Sequence, residues 1–185
     1  MGPTFLKRLS RWQAQKMRRL LILFIPVLIL VGCSDSSNGS DDVSEPQVTR
    51  PPGSPEFARG RVLIDTGGNS VLVDVDVAET DEQRAFGLMK RESLPDDEGM
   101  LFMFFEDSTS AFTMRNTLIP LSIAFFDFDG EILKILDMEP CEAEPCPSYD
   151  PAVTYRGALE VNQGAFDEWG VEVGDKINPL PRSEQ

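Results

Sequence analysis

The run Met114-Arg115-Asn116-Thr117 places three polar side chains between two apolar stretches. Arginine presents a planar fork that matches a carboxylate, a phosphate or sugar hydroxyls. Asn and Thr add orientable donors and acceptors. Glu160 stands inside another apolar run, Leu159-Glu160-Val161. A carboxylate so placed either has a cationic partner or holds its proton more tightly than usual. Arg91 and Arg115 are the partners considered, and general acid or base is the other role. Together with Asn162, two residues further on, Arg91, Arg115, Asn116, Thr117 and Glu160 form the candidate ligand-binding set. A structural reading competes with it, in which the polar run caps a strand and Arg115 pairs with Glu160. Glycoside hydrolysis would need a second carboxylate beside Glu160, and the sequence does not locate one.

The chain contains no histidine. That removes Ser-His-Asp and Cys-His catalysis, the commonest general base and most zinc and copper sites. Asp127-Phe128-Asp129-Gly130-Glu131 begins like a calcium loop, but the ligand spacing does not continue beyond the glycine. An Asp-Gly hairpin turn accounts for it. No metal and no cofactor are expected.

Cys33 closes Leu30-Val31-Gly32-Cys33, after a basic stretch and an apolar segment from Leu20 to Leu30. Basic region, short apolar run, small residue and cysteine make a bacterial lipoprotein signal. The run is too short to span a bilayer comfortably and is the length of a signal core. Residues 1–32 are therefore expected to be removed and Cys33 acylated, palmitate being one such chain. Met17-Arg18-Arg19 would serve as a compact start to that signal. Ser34 after the cysteine favours the outer membrane over the inner, on its periplasmic face. Processing would remove Lys7, Arg8, Arg11, Lys16, Arg18 and Arg19 and no acid. That takes 17 basic residues to 11 against 31 acidic ones, a formal charge of −20. Such a surface repels nucleic acid. In an oxidising compartment Cys141 and Cys146 read as a disulfide closing a short loop, contributing about 2 kcal/mol. The acids between them, Glu142 and Glu144, argue against a reactive thiol pair.

These side chains must be positioned by the domain that follows. Residues 33–59 read as the lipidated cysteine and a flexible Ser-, Pro- and Gly-containing linker. Residues 60–180 are one mainly-β domain, and 181–185 are a tail. Val71, Val73, Val75 and Val77 alternate with Asp74 and Asp76, a strand paired in a hairpin with Arg61–Ile64 through Asp65–Asn69. Thr80-Asp81-Glu82-Gln83 is a capping box for a helix from Asp81 to about Met89. Further strands are expected over Met100–Phe105, Ala111–Met114, Leu121–Phe128, Glu131–Met138, Tyr155–Val161 and Gly174–Asn178. One or two helical turns cover Gly164–Trp169. Short strands in this number predict a compact antiparallel sandwich or barrel with one or two short helices.

Several motifs recur in one order: Gly87-Leu88-Met89-x-Arg91, Gly99-Met100-Leu101-Phe102, Phe112-x-Met114-Arg115-Asn116-Thr117-x-Ile119-Pro120-Leu121, and Leu159-Glu160-Val161-Asn162-x-Gly164. Pro140-Cys141 and Cys146-Pro147-x-Tyr149 lie between the last two. This order resembles the uncharacterised family known as domain of unknown function 192, or uncharacterised protein family 0127, over Leu72–Ile177. The resemblance implies a compact mainly-β fold, often exported, and brings no activity with it. Two positions depart from the family's pattern. Thr113 stands where an aromatic is usual, and Ser122 where Asp is usual.

The expectation is an exported, lipid-anchored binding or envelope-accessory module for a small polar ligand, a glycan or an envelope protein. Its membrane contact is the anchor. The alternative is a histidine-free, carbohydrate-active hydrolase using Glu160 or an aspartate as acid or base.

Overall fold

The computed structural model describes residues 50–180. The signal segment, Cys33 and residues 181–185 lie outside them. The chain runs β1 (Ala58–Asp65), β2 (Ser70–Ala78), α1 (Asp81–Phe86), β3 (Glu98–Ser108), β4 (Phe112–Thr113), β5 (Leu121–Phe126), β6 (Ile132–Met138), β7 (Ser148–Tyr149), β8 (Tyr155–Asn162), α2 (Ala165–Trp169) and β9 (Lys176–Pro179).

Seven strands form one sheet in the order β6-β5-β8-β3-β2-β1-β9, and β4 pairs with β7 in a small second sheet. The large sheet curls until its edges meet. Glu131 bridges Lys176, and the Ile177 N–H donates to the Gly130 carbonyl at 2.8 Å. Of the two forms expected, the barrel-like one is observed, as a half-barrel. Gly130 permits the closure. Its φ is +81°, and a Cβ there would lie 2.3 Å from the Ile177 carbonyl oxygen. The preceding turn is a hairpin, because the Asp127 carboxylate accepts the N–H groups of Asp129 and Glu131, each at 2.9 Å.

One pair departs from the antiparallel expectation: β2 and β3 run parallel. The reason lies between them. The capping box forms as predicted, with Thr80 and Gln83 bonded reciprocally. The segment carrying α1 is long enough to return the chain along the sheet, which a parallel pair requires. The helix stops at Phe86 rather than near Met89, because Gly87 adopts a positive φ.

The central strands of the sheet are buried on both faces. Inside the curl pack Val62, Ile64, Val73, Val75, Leu101, Leu159, Val161 and Ile177, with Phe166 of α2 as a plug. On the outer face Met100, Phe102, Ile123, Phe125 and Ala158 are covered by Phe57, Leu88, Leu94 and Met114. This revises the linker. Phe57 is only 7% exposed, and Arg50 bonds to Asp76. The packed domain therefore takes in residues from Arg50 onward, ahead of the expected boundary at residue 60. The Cys141–Cys146 disulfide is present, next to the β4–β7 pair.

Candidate functional site

Strand register sets a row across the outer face. Arg59 lies opposite Asp76, Asp76 opposite Met100, Met100 opposite Glu160, and Glu160 opposite Ile123. Asp76 and Glu160 thus stand two strands apart on one covered surface, and their surroundings differ completely.

Asp76 is fully buried and saturated. Arg91 donates to Oδ2, Arg50 reaches Oδ1 at 2.6 Å, and Arg59 lies 3.4 Å from Oδ1. Burial alone would raise the Asp76 pKa, but the bonds and charges of Arg50 and Arg91 outweigh it and hold the carboxyl below its ordinary value. Arg91 is delivered by the loop after α1. Lys90 adopts a left-handed φ of +61°, and its N–H donates to the Asn116 carbonyl at 2.8 Å. That bond ties the loop to the Met-Arg-Asn-Thr turn.

Glu160 is 5% exposed, and no group among the described residues bonds to its carboxyl. Burial pushes its pKa up to about 8. Two residues along the same strand face, the Asn162 amide donates to the Leu94 carbonyl at 2.9 Å, which leaves its oxygen without a donor among the described residues. Diagonally across from Glu160 stands Glu98. Its Oε1 accepts from Arg59 at 3.0 Å, and its buried Oε2 has no partner among the described residues. A diagonal placement on adjacent antiparallel strands puts the two Cα atoms about 7–8 Å apart. Thr117 is buried with its hydroxyl unbonded among the described residues, while its N–H donates to the Met114 carbonyl at 3.1 Å.

The predicted set is therefore only partly assembled. Glu160 and Asn162 share one face. Arg91 joins Asp76 instead of Glu160. The expected Arg115–Glu160 pair does not form. Arg115 points outward, and its guanidinium grips Glu144 through Nε at 2.9 Å and Nη2 at 3.1 Å, both side chains more than half exposed. Asn116, at φ +57°, contributes its carbonyl to Lys90 and leaves its side chain exposed.

Asp76, Glu98, Arg50 and Arg59 went unread in the sequence. A signal for Asp76 existed. Met100–Phe105 is apolar at every position, so a strand there is covered on both faces, and a neighbouring strand shares that cover. Of the two departures from the family pattern, Thr113 is exposed in β4. Ser122 is buried on the opposite side of the sheet from Glu160, where its Oγ donates to Asp137 and accepts the Gly164 N–H at 2.9 Å. It lines a shallow cleft of about 100 Å³ with Ile135, Asp137, Phe166 and Asp167.

Residues 62–179, more than half of the chain, match the family described as an uncharacterised ACR, DUF192. The chain belongs to the DUF192 family. Two solved structures resemble it. One is a candidate transcription regulator from Sinorhizobium meliloti 1021, 31% identical, with a TM-score of 0.62, covering 69% of this chain and 98% of its own. The other is a protein of unknown function from Novosphingobium aromaticivorans DSM 12444, 30% identical, with a TM-score of 0.61, covering 70% of this chain and 91% of its own. No curated protein matches the chain.

Proposed function

We propose that this DUF192 protein is a lipid-anchored cell-envelope module that binds a small neutral, hydroxyl-rich ligand, a glycan unit being the simplest, at Glu160. The observation that carries the reading is the buried Glu160 carboxyl, which has no bonding partner among the described residues. With a pKa of about 8 it is protonated at neutral pH and both donates and accepts a hydrogen bond. The Asn162 oxygen, two residues along the same strand face, extends the polar set. A formal charge of −20 after processing at Cys33 disfavours anionic ligands, as it disfavours DNA, so the regulator role given to the Sinorhizobium meliloti protein is not carried over.

Hydrolysis is the weaker reading. Asp76, the ionised carboxylate of the row, has both oxygens occupied by arginines. Glu98 lies closer to Glu160, but its free oxygen is buried and offers an attacking water no route. The binding reading is tested with the full chain by ligand-observed NMR against neutral N-acetylglucosamine and glucose oligomers. Wild type and Glu160→Gln should bind alike, because the amide also donates and accepts. Glu160→Leu should lose binding while remaining folded. Binding undiminished in Glu160→Leu, or none in wild type, refutes this site. The anchor is tested separately: fatty-acid labelling should mark wild type and not Cys33→Ser, and equal labelling rejects it.

A further inference from the structure

Phe105 and Phe128 are 82% and 80% exposed. They are exceptions in a fold that otherwise gathers its phenylalanines. Phe102, Phe104 and Phe125 make edge-to-face contacts at ring-centroid distances of 5.1, 5.3 and 4.9 Å with Phe112, Tyr155 and Tyr155. One side chain, Arg156, bridges the two segments that carry these exposed rings. Arg156 Nη2 donates to the Phe105 carbonyl at 2.6 Å, and its Cζ lies 5.5 Å from the Phe128 ring centroid. The patch therefore spans the end of β3, the start of β8 and the β5–β6 turn.

The rim of the patch is acidic. Glu106 and Asp107 follow Phe105, and Asp127 and Asp129 flank Phe128. Asp107 answers Arg156 at 3.4 Å, and Asp127 is engaged by the N–H groups of its own turn. Glu106 and Asp129 have exposed carboxylates with no ion pair among the described residues. Two aromatic rings and an arginine with a charged rim have the composition of a protein-binding hot spot. The acids beside the rings select the partner. They would be desolvated or repelled at a bilayer surface, whereas a cationic rim on a protein would complement them.

We propose that this end of the half-barrel docks onto a protein surface that presents an apolar cleft bordered by Lys or Arg. The patch shares no residue with the Glu160 site, so the inference is independent of the ligand proposed there.

The test is photo-crosslinking of the full chain in its own cells, with p-benzoylphenylalanine in turn at Phe105, Phe128 and, as an exposed control, Leu72. The first two positions should give the same discrete protein adduct, and Leu72 should not. The crosslinked partner peptide, mapped by mass spectrometry, should carry Lys or Arg beside apolar residues. Neutralising the rim with Glu106→Gln and Asp129→Asn should cut the adduct yield at least about fivefold, as loss of electrostatic complementarity predicts. The melting temperature should not change, because every altered side chain is exposed. No adduct, an adduct to lipid, an adduct to a second copy of this chain, a partner peptide without cations, or a yield indifferent to the neutralised rim would each overturn the proposal.

Discussion

Replacing Glu160 by Gln isolates one titration from the many carboxylates of this acidic chain. In the folded protein Glu160 titrates near 8, against an ordinary 4.5. The folded state thus holds the proton more tightly than the unfolded chain. Its contribution is fully present below pH 4.5 and is lost as pH rises toward 8. Within that window the loss is about 1.4 kcal/mol per pH unit, so by pH 7 it amounts to about 3 kcal/mol. For a domain of this size that is about 10 °C in melting temperature. Gln keeps the shape and the neutral polarity and cannot ionise. Thermal melts of wild type and Glu160→Gln should coincide near pH 4.5 and separate by about 10 °C at pH 7, the variant being the more stable. Every other acid titrates in both proteins and cancels in the difference. A difference that stays flat from pH 4.5 to 7 would falsify the uncompensated burial of Glu160 and the binding site built on it.

Asp76→Asn should have the opposite effect. Removing the charge leaves Arg91 buried without its counterion and should cost about 3–5 kcal/mol, measured by urea unfolding at pH 7. Because the Asp76 pKa is held below its ordinary value, its contribution is present at neutral pH and disappears as pH falls through that lowered value. Gly130→Ala adds left-handed strain and a clash with the Ile177 carbonyl. It should cost more than the about 1–3 kcal/mol of the backbone conformation alone, with β9 amides showing the largest gain in hydrogen exchange. Arg115→Ala should cost less than about 1 kcal/mol in the same unfolding assay, since its partner Glu144 is equally exposed.

Local chemistry was legible where local sequence decides. The Thr80–Gln83 capping box, the Asp127–Gly130 turn and the Val71–Val77 alternation each specify their own backbone, and each formed. The helix C-terminus was less legible, since Gly87 could continue or break a short helix and only its observed φ decides. Residues 50–57 read as linker because Pro, Gly and Ser carry no periodicity. Phe57 and Arg50 have partners only on β2 and the outer-face core, which composition cannot reveal. Asp76 was hidden by its own strand. An alternating Val/Asp strand predicts a solvated acidic face, and that face is covered by the loop bearing Arg91 after α1 and by Arg50 from the segment before β1. Arg115 erred in the other direction, because a tight turn aims its side chain by backbone geometry, and Met114–Thr117 turns it toward Glu144.

Asp76 and Glu160 together separate structure from function in this fold. They occupy one register row, under one cover, in the same sheet. Among the described residues three arginines converge on Asp76 and none reaches Glu160. The reach of these side chains is not the limit, since Arg59 extends to both Asp76 and Glu98. A carboxyl left alone beside a saturated one lowers stability at neutral pH, and an apolar side chain of similar size would remove that loss. Proteins bear such losses at the positions where they work. Stability accounts for Asp76 completely. It does not account for Glu160, and the ligand proposed there would complete the Glu160 hydrogen bonds.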